Sequence, residues 1–236
     1  MKKYWFIIGT GSGIGKALAE YLLQDACVVH GISRHNTIEH PDFHFHALDL
    51  SDAQAVAAFT FPDCSDADEL AIIYNAGTLG AIEYVGAQTA EHIQSAYQIN
   101  CVSAHILFNT WINTFGDRSA IKMMAAISTG AATYPYDGWS IYSSTKAALL
   151  MLCQAIAKEQ EIDQRDISVY SIAPGVVDTD MQKSIRSVSE SQFSKKDKFV
   201  ELYEKQALRK VLDVAPAIVD IMRTKRGSGE VIHRIT

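Results

Sequence analysis

The chain has 236 residues, 48% of them hydrophobic and 20% charged, with only 14 glycines and 5 prolines. That balance excludes a disordered or fibrous chain and fits one soluble domain spanning residues 1–236. The net charge is −6 and the basic side chains cluster only at Lys195, Lys196 and Lys198, so no basic face suits a nucleic acid.

Residues 4–8 are apolar, aromatic and β-branched and end in glycines, which reads as a strand; residues 16–24 then carry apolar side chains at helical spacing. Strands are predicted at 27–32, 43–48 and 70–74, with a helix at 51–59 opening on a Ser-Asp cap. Beyond these come a long helix at 93–115, a strand at 122–127, a second long helix at 142–160, a strand at 167–172, a helix at 214–222 and a last strand at 231–235. Alternating elements with apolar strands predict an α/β fold, a doubly wound parallel sheet with helices on both faces. Residues 182–210 are polar, charged and free of proline and glycine. They read as an amphipathic helical insertion, either a mobile lid or a solvated surface helix.

No stretch approaches the roughly 18–20 apolar residues of a membrane span. The apolar run after Met1-Lys2-Lys3 breaks at Gly9, too early for the 7–15 or so residues of a secretory leader core. Cys27, Cys64, Cys101 and Cys153 form no C-x-x-C pair and read as reduced thiols, so a cytoplasmic protein is expected.

Gly9-Thr10-Gly11-Ser12-Gly13-Ile14-Gly15 joins the first strand to the first helix. Such a turn brings backbone N–H groups close to a phosphate at a helix N-terminus. It is not a triphosphate-binding loop, because Thr10 and Ala17 stand where glycine and a hydroxyl residue are needed. The second strand ends in Ser33-Arg34. A carboxylate near that point would receive a ribose 2′-hydroxyl, whereas an arginine suits a 2′-phosphate, so NADP(H) is favoured unless Arg34 is only a surface charge. Asp49, Leu50, Asn75, Ala76 and Gly77 follow the third and fourth strands, where open α/β sheets bind ligands and where ordinary turn chemistry is equally at home.

Tyr142 and Lys146 are four apart at the start of a helix and project from one face. A neighbouring ammonium lowers a phenol's pKa, which would let Tyr142 move a proton to or from a carbonyl oxygen. Tyr134, Tyr136 and Trp139 are candidate aromatic walls beside it. His44 and His46 share one strand face near His40, but nothing completes a metal site, and no metal is expected. The absence of a G-x-S-x-G elbow excludes a serine hydrolase of that type.

Taken in order, the glycine loop, Asn75-Ala76-Gly77, Asn100, Ile127-Ser128-Thr129, Tyr142-x-x-x-Lys146 and Pro174-Gly175 resemble the short-chain dehydrogenase/reductase family over nearly the whole chain. Residues 32–34, 138–142 and 174–182 look like its branch of sepiapterin and benzil reductases. The resemblance implies a Rossmann-type fold and an NADPH-dependent reductase acting on a ketone or 1,2-dicarbonyl. It makes Tyr142 the acid/base, has Lys146 bind the nicotinamide ribose and tune the phenol, and gives Asn100 a water that relays protons to Lys146. From the residues alone, Asn100 reads as a satisfied core amide. By the same resemblance Pro174, Val177 and Thr179 hold the carboxamide and phosphates.

Thr129 stands where the family usually has a serine, keeping the hydroxyl but adding a stiffening methyl. If the strand persists, Ser128 faces the other way, so only one of the two serves the site. At the place of the sepiapterin reductases' substrate-binding aspartate stands His233, which disfavours a pterin. A homodimer or homotetramer through helices 93–115 and 142–160 is expected, the latter being apolar on almost all sides. Two rival readings are an NADP(H)-binding regulator without efficient chemistry, supported only by Thr129, and an NAD-dependent alcohol dehydrogenase, which leaves Arg34 idle.

Overall fold

A computed structural model describes residues 1–235. In chain order the elements are β1 (Lys3–Ile8), α1 (Gly13–Gln24), β2 (Val28–Ser33), β3 (Phe43–Ala47), α2 (Ala53–Ala58), β4 (Glu69–Tyr74), α3 (Ala90–Tyr97), α4 (Ser103–Phe115), β5 (Ile121–Ile127), α5 (Ser140–Asp163), β6 (Ile167–Ala173), α6 (Asp180–Ser187), α7 (Lys196–Glu204), α8 (Val211–Thr224) and β7 (Ile232–Arg234). Among the described residues the strands form one seven-stranded sheet in the order β3-β2-β1-β4-β5-β6-β7, every pair parallel. This is the Rossmann-type doubly wound architecture.

Alternation along β1 sets the two faces. Tyr4, Phe6 and Ile8 point into a core shared with Trp111 and Phe115 of α4 and Leu149 of α5. Trp5 and Ile7 enter the other core, built with Leu18 and Leu22 of α1 and Ile218 of α8. Both neighbours of β1 lie on opposite sides, β2 and β4, so the chain winds outward in two directions from there. The adjoining loops part at the strands' C-terminal ends and leave a crevice.

Two predicted helices differ in detail. The long helix begins at Ala90 rather than 93, because the Thr89 hydroxyl accepts from His92 N and caps it. It is interrupted by a π-helical turn, Gln98–Val102, of the kind that often marks functional sites; the Tyr74 hydroxyl donates to Ile99 O there. The insertion 182–210 is two short helices, not one. Ile185, Phe193 and Phe199 pack against Leu79, Trp139 and Tyr142, so its apolar side covers the end of α5. Backbone hydrogen bonds between Arg209 and both Val176 and Asp178 return the chain to the loop just after β6. Among the described residues no helix is long and apolar enough to cross a membrane.

Candidate active site

A cavity of about 1070 Å³ occupies the crevice. Gly9, Gly11, Ser12 and Ile14 border one end, with Ser33, Arg34, Asp49, Leu50, Asn75, Ala76 and Gly77. The close approach is built in. Gly9 has φ +95°, and a Cβ on it would lie 3.0 Å from the backbone of Ala76. A Cβ on Gly15 would lie 1.9 Å from Gly9 O and 2.4 Å from Asn75 Nδ2, which itself donates to Gly9 O at 2.9 Å. Gly13 and Gly15 do not themselves border the cavity. Gly13 faces the Thr179 side chain and Gly15 is buried beneath the turn, so they shape the cradle rather than line it.

Ser33 is buried and its hydroxyl is spent on Thr10 and His35 O. Arg34 is exposed and forms no ion pair among the described residues. Backbone and hydroxyl hydrogen bonds from Ser51 hold the Asp49 carboxyl below its ordinary range, and the Arg34 charge adds to them. Thr37, which sequence reasoning missed, closes this end by donating to Thr10 O and Gly11 O.

The other end holds the helical pair. Tyr142 and Lys146 sit in the first turns of α5 and are buried. Lys146 Nζ donates to Ile127 O at 2.9 Å and stands 5.9 Å from the Tyr142 ring centroid. Burial draws the Lys146 ammonium down to about 8. Burial also pushes the Tyr142 phenol up to about 12, against a lowering by its hydrogen bond with Thr129. Desolvation dominates at the phenol, and the Lys146 ammonium is bonded to a backbone carbonyl. Ser128 borders the cavity too, but it is Thr129 whose hydroxyl acts on the phenol; its Oγ1 accepts from Ala131 N.

Asn100 is fully buried and does not border the cavity. Its Oδ1 accepts from Thr78 N at 2.8 Å, while Nδ2 donates to Thr78 O at 2.8 Å and to Thr145 Oγ1 at 3.0 Å. Both ends of the Asn100 amide are thus hydrogen-bonded within the protein. It lies close to Lys146 across Gly77, where a Cβ would stand 3.3 Å from Lys146 Nζ and 3.4 Å from Asn100 Oδ1. Pro174, Val177 and Thr179 border the cavity.

Tyr134, Tyr136 and Trp139 do line the wall beside Tyr142, with ring centroids 5.0 Å apart for Tyr136 and Trp139 and 4.8 Å for Trp139 stacked on Phe193. His233 does not. It is buried against Tyr170 and bonds Glu230 O at 2.8 Å; the next residue, Arg234, borders the cavity instead. Neighbours on a strand face opposite ways, and this register is set by pairing with β6, which sequence parallels do not reveal. Gln182, Ile185 and Phe199 of the insertion are likewise at the wall. The only signal for them was the insertion's position after the sixth strand.

A family model described as short chain dehydrogenase matches residues 3–190. Over 233 residues the chain is 30% identical to a benzil reductase ((S)-benzoin forming) of Bacillus subtilis (strain 168), covering 96% of each protein. Identity to the benzil reductase ((S)-benzoin forming) of Bacillus cereus is 32% over 245 residues, covering 98% of each. Among solved structures, the KRED1-Pglu enzyme superposes with a TM-score of 0.80 at 25% identity, covering 94% of this chain and 95% of the other.

Proposed function

The chain belongs to the short-chain dehydrogenase/reductase family, and on that premise we propose that it is an NADPH-dependent reductase of ketones and 1,2-dicarbonyls. The observation that carries this reading is the meeting of Tyr142, Thr129 and Lys146 at one end of a cavity whose other end is the glycine turn with Arg34. The crowding around Gly9 and Gly15 leaves a cradle that a side chain would fill, which fits a dinucleotide. When bound, the nicotinamide supplies hydride.

A phenol held near 12 keeps its proton at neutral pH, so Tyr142 is the acid that protonates the carbonyl oxygen. Thr129, whose hydroxyl lies beside that phenol at the cavity wall, orients the oxygen being protonated. The phenolate left behind gains from the Lys146 ammonium one helical turn away. Arg34 offers the exposed fork of donors that a 2′-phosphate needs. Gly9, Ser12, Ile14, Ser33, Asp49, Leu50, Asn75, Ala76, Gly77, Pro174, Val177 and Thr179 form the rest of the cofactor wall, braced by Gly13 and Gly15, and Asn100 steadies the Lys146 end. The insertion 182–210 acts as a lid that excludes water. Homo-oligomers form through α3–α4 and α5, where Val102 and Met151 are exposed.

The test is oxidation of NADPH, followed by absorbance, with benzil, smaller diketones, sepiapterin and simple ketones, repeated with NADH and with Tyr142→Phe. Dicarbonyl turnover with NADPH is expected, falling by about 10²–10⁴-fold in the variant. Tight NADPH binding without turnover on any of these compounds would replace this reading by the regulatory one.

A further inference from the structure

Arg234 ends β7, where it pairs with Ala173, the last residue of β6, and Ile235 N donates to Ala173 O at 3.0 Å. Strand C-terminal ends open into the crevice, and Arg234 borders the cavity together with Ala173 and Pro174. Its side chain crosses the end of β6 toward the loop after β5. Arg234 Nη2 stands 3.8 Å from where a Cβ on Gly130 would lie, and Gly130 borders the cavity as well. The guanidinium itself is thereby placed at the wall, on a residue that is exposed, so a ligand in the cavity can reach it.

This cation belongs to the reacting end of the cavity. The residue before Gly130 is Thr129, whose hydroxyl acts on the Tyr142 phenol, and adjacent Cα atoms are only about 3.8 Å apart. The other charges at the wall are accounted for. Arg34 stands at the nucleotide end, where its charge acts on Asp49, and Lys146 Nζ donates to Ile127 O. The carboxylates are engaged, Asp49 by Ser51 and Asp180 by Lys183. Arg234 forms no hydrogen bond or ion pair through its side chain among the described residues, which leaves its planar fork of N–H donors open to a carboxylate. An aryl wall adjoins it: Tyr134 N donates to Gly130 O at 3.0 Å, and the rings of Tyr134 and Tyr136 meet edge to face.

We propose that Arg234 is a specificity-determining residue: its guanidinium pairs with a carboxylate on the ketone carbon of the substrate, so that aryl 2-oxo acids are preferred within the dicarbonyl class. The proposal deepens the reductase reading and rests on it, since Tyr142 supplies the place of the ketone oxygen.

Phenylglyoxylate and 1-phenyl-1,2-propanedione share an aryl ketone and differ in carrying a carboxylate or an acetyl group beside it. Their dissociation constants are measured on the NADP⁺-loaded protein, where no reduction occurs. The wild type is expected to prefer phenylglyoxylate by about tenfold or more, the worth of a charge-assisted pair, and added salt should erode the preference because the site is open to solvent. Arg234→Gln keeps a donor without the charge and should lower the ratio by about tenfold, whereas Arg234→Lys keeps the charge without the fork and should give an intermediate ratio. A wild type that binds neither ligand or shows no preference overturns the proposal, as does an unchanged ratio in Arg234→Gln; loss of NADP⁺ affinity with that unchanged ratio would put the guanidinium on the cofactor. NADPH turnover of both compounds is followed in parallel. An Arg234-dependent preference without turnover of either would remove the reductase reading and leave Arg234 as a carboxylate site, whereas turnover with an unchanged ratio would remove Arg234 alone.

Discussion

Gly15 shows how a single residue type carries the nucleotide end of the cavity. A methyl group there would sit 1.9 Å from Gly9 O, and backbone cannot yield as a flexible side chain can. Gly15→Ala is expected to weaken NADPH binding by more than about tenfold while the sheet still forms, as read by titration calorimetry and circular dichroism. At the same end, Arg34→Ala removes a charged donor fork that is exposed and free of ion pairs among the described residues. A charge-assisted hydrogen bond is worth about 1.5–3 kcal/mol, so the NADPH-over-NADH ratio of kcat/KM should fall by about 10–100-fold. A ratio that does not move would make Arg34 a surface charge. Gly15, Arg34, Tyr142 and Lys146 could be proposed from the sequence because each has a chemical reason to stand at its spacing. Arg234 and Gln182 were not, because an arginine or glutamine on a polar stretch looks the same whether it faces water or a cavity.

At the scale of elements, β2 and β3 pair so that His30 meets His44 and His46. His30 Nδ1 and His46 Nε2 are 2.9 Å apart, and the His30 ring stacks on Phe6 and His44. The sequence pattern showed His44 and His46 on one strand face; that the third member is His30 and not His40 follows only from strand register. Burial, then the two neighbouring imidazoles, lower the His30 pKa from 6.5 to about 3. In the unfolded chain His30 takes a proton near its ordinary value. Between those limits the unfolded state binds the additional proton, so stability is lost as pH falls from about 6.5 toward 3. The contribution is at most about 1.4 kcal/mol per pH unit. Urea unfolding of His30→Phe at pH 7 and pH 5 should give a smaller difference than the wild type, and an equal difference would place the acid sensitivity elsewhere. Most elements were found within a few residues of their predicted positions, since hydrophobic periodicity and caps are local signals. The π-helical turn and the split of the insertion were not, because both depend on what packs against them.

For the whole molecule, the outer face of α5 is set by what the sheet leaves uncovered. Leu149, Cys153 and Ile156 point inward, while Ala147, Ala148 and Met151 are exposed beside Val102 of the neighbouring helical segment. Small residues around a protruding Met make a flat apolar face of the kind that oligomers bury. A Val102→Lys, Met151→Glu double variant is expected to sediment as a smaller species than the wild type with its cofactor affinity within about threefold, corresponding to less than about 1 kcal/mol. Identical sedimentation would remove this face as the interface.

Sequence alone determined the parallel doubly wound sheet and the family, and it pointed to the residues whose spacing is itself chemical: the glycine turn, Arg34 and the Tyr142–Lys146 pair. Periodicity and short motifs act within one or two turns of chain, where geometry follows from bond lengths and dihedrals. The tertiary structure decided which of two adjacent residues faces the cavity, as with Arg234 over His233. It decided that burial raises the Tyr142 phenol and lowers the Lys146 ammonium, and that Gln182 is buried at the cavity wall. Those outcomes depend on desolvation and on partners distant along the chain, and neither exists until the sheet, α5 and the insertion have packed together.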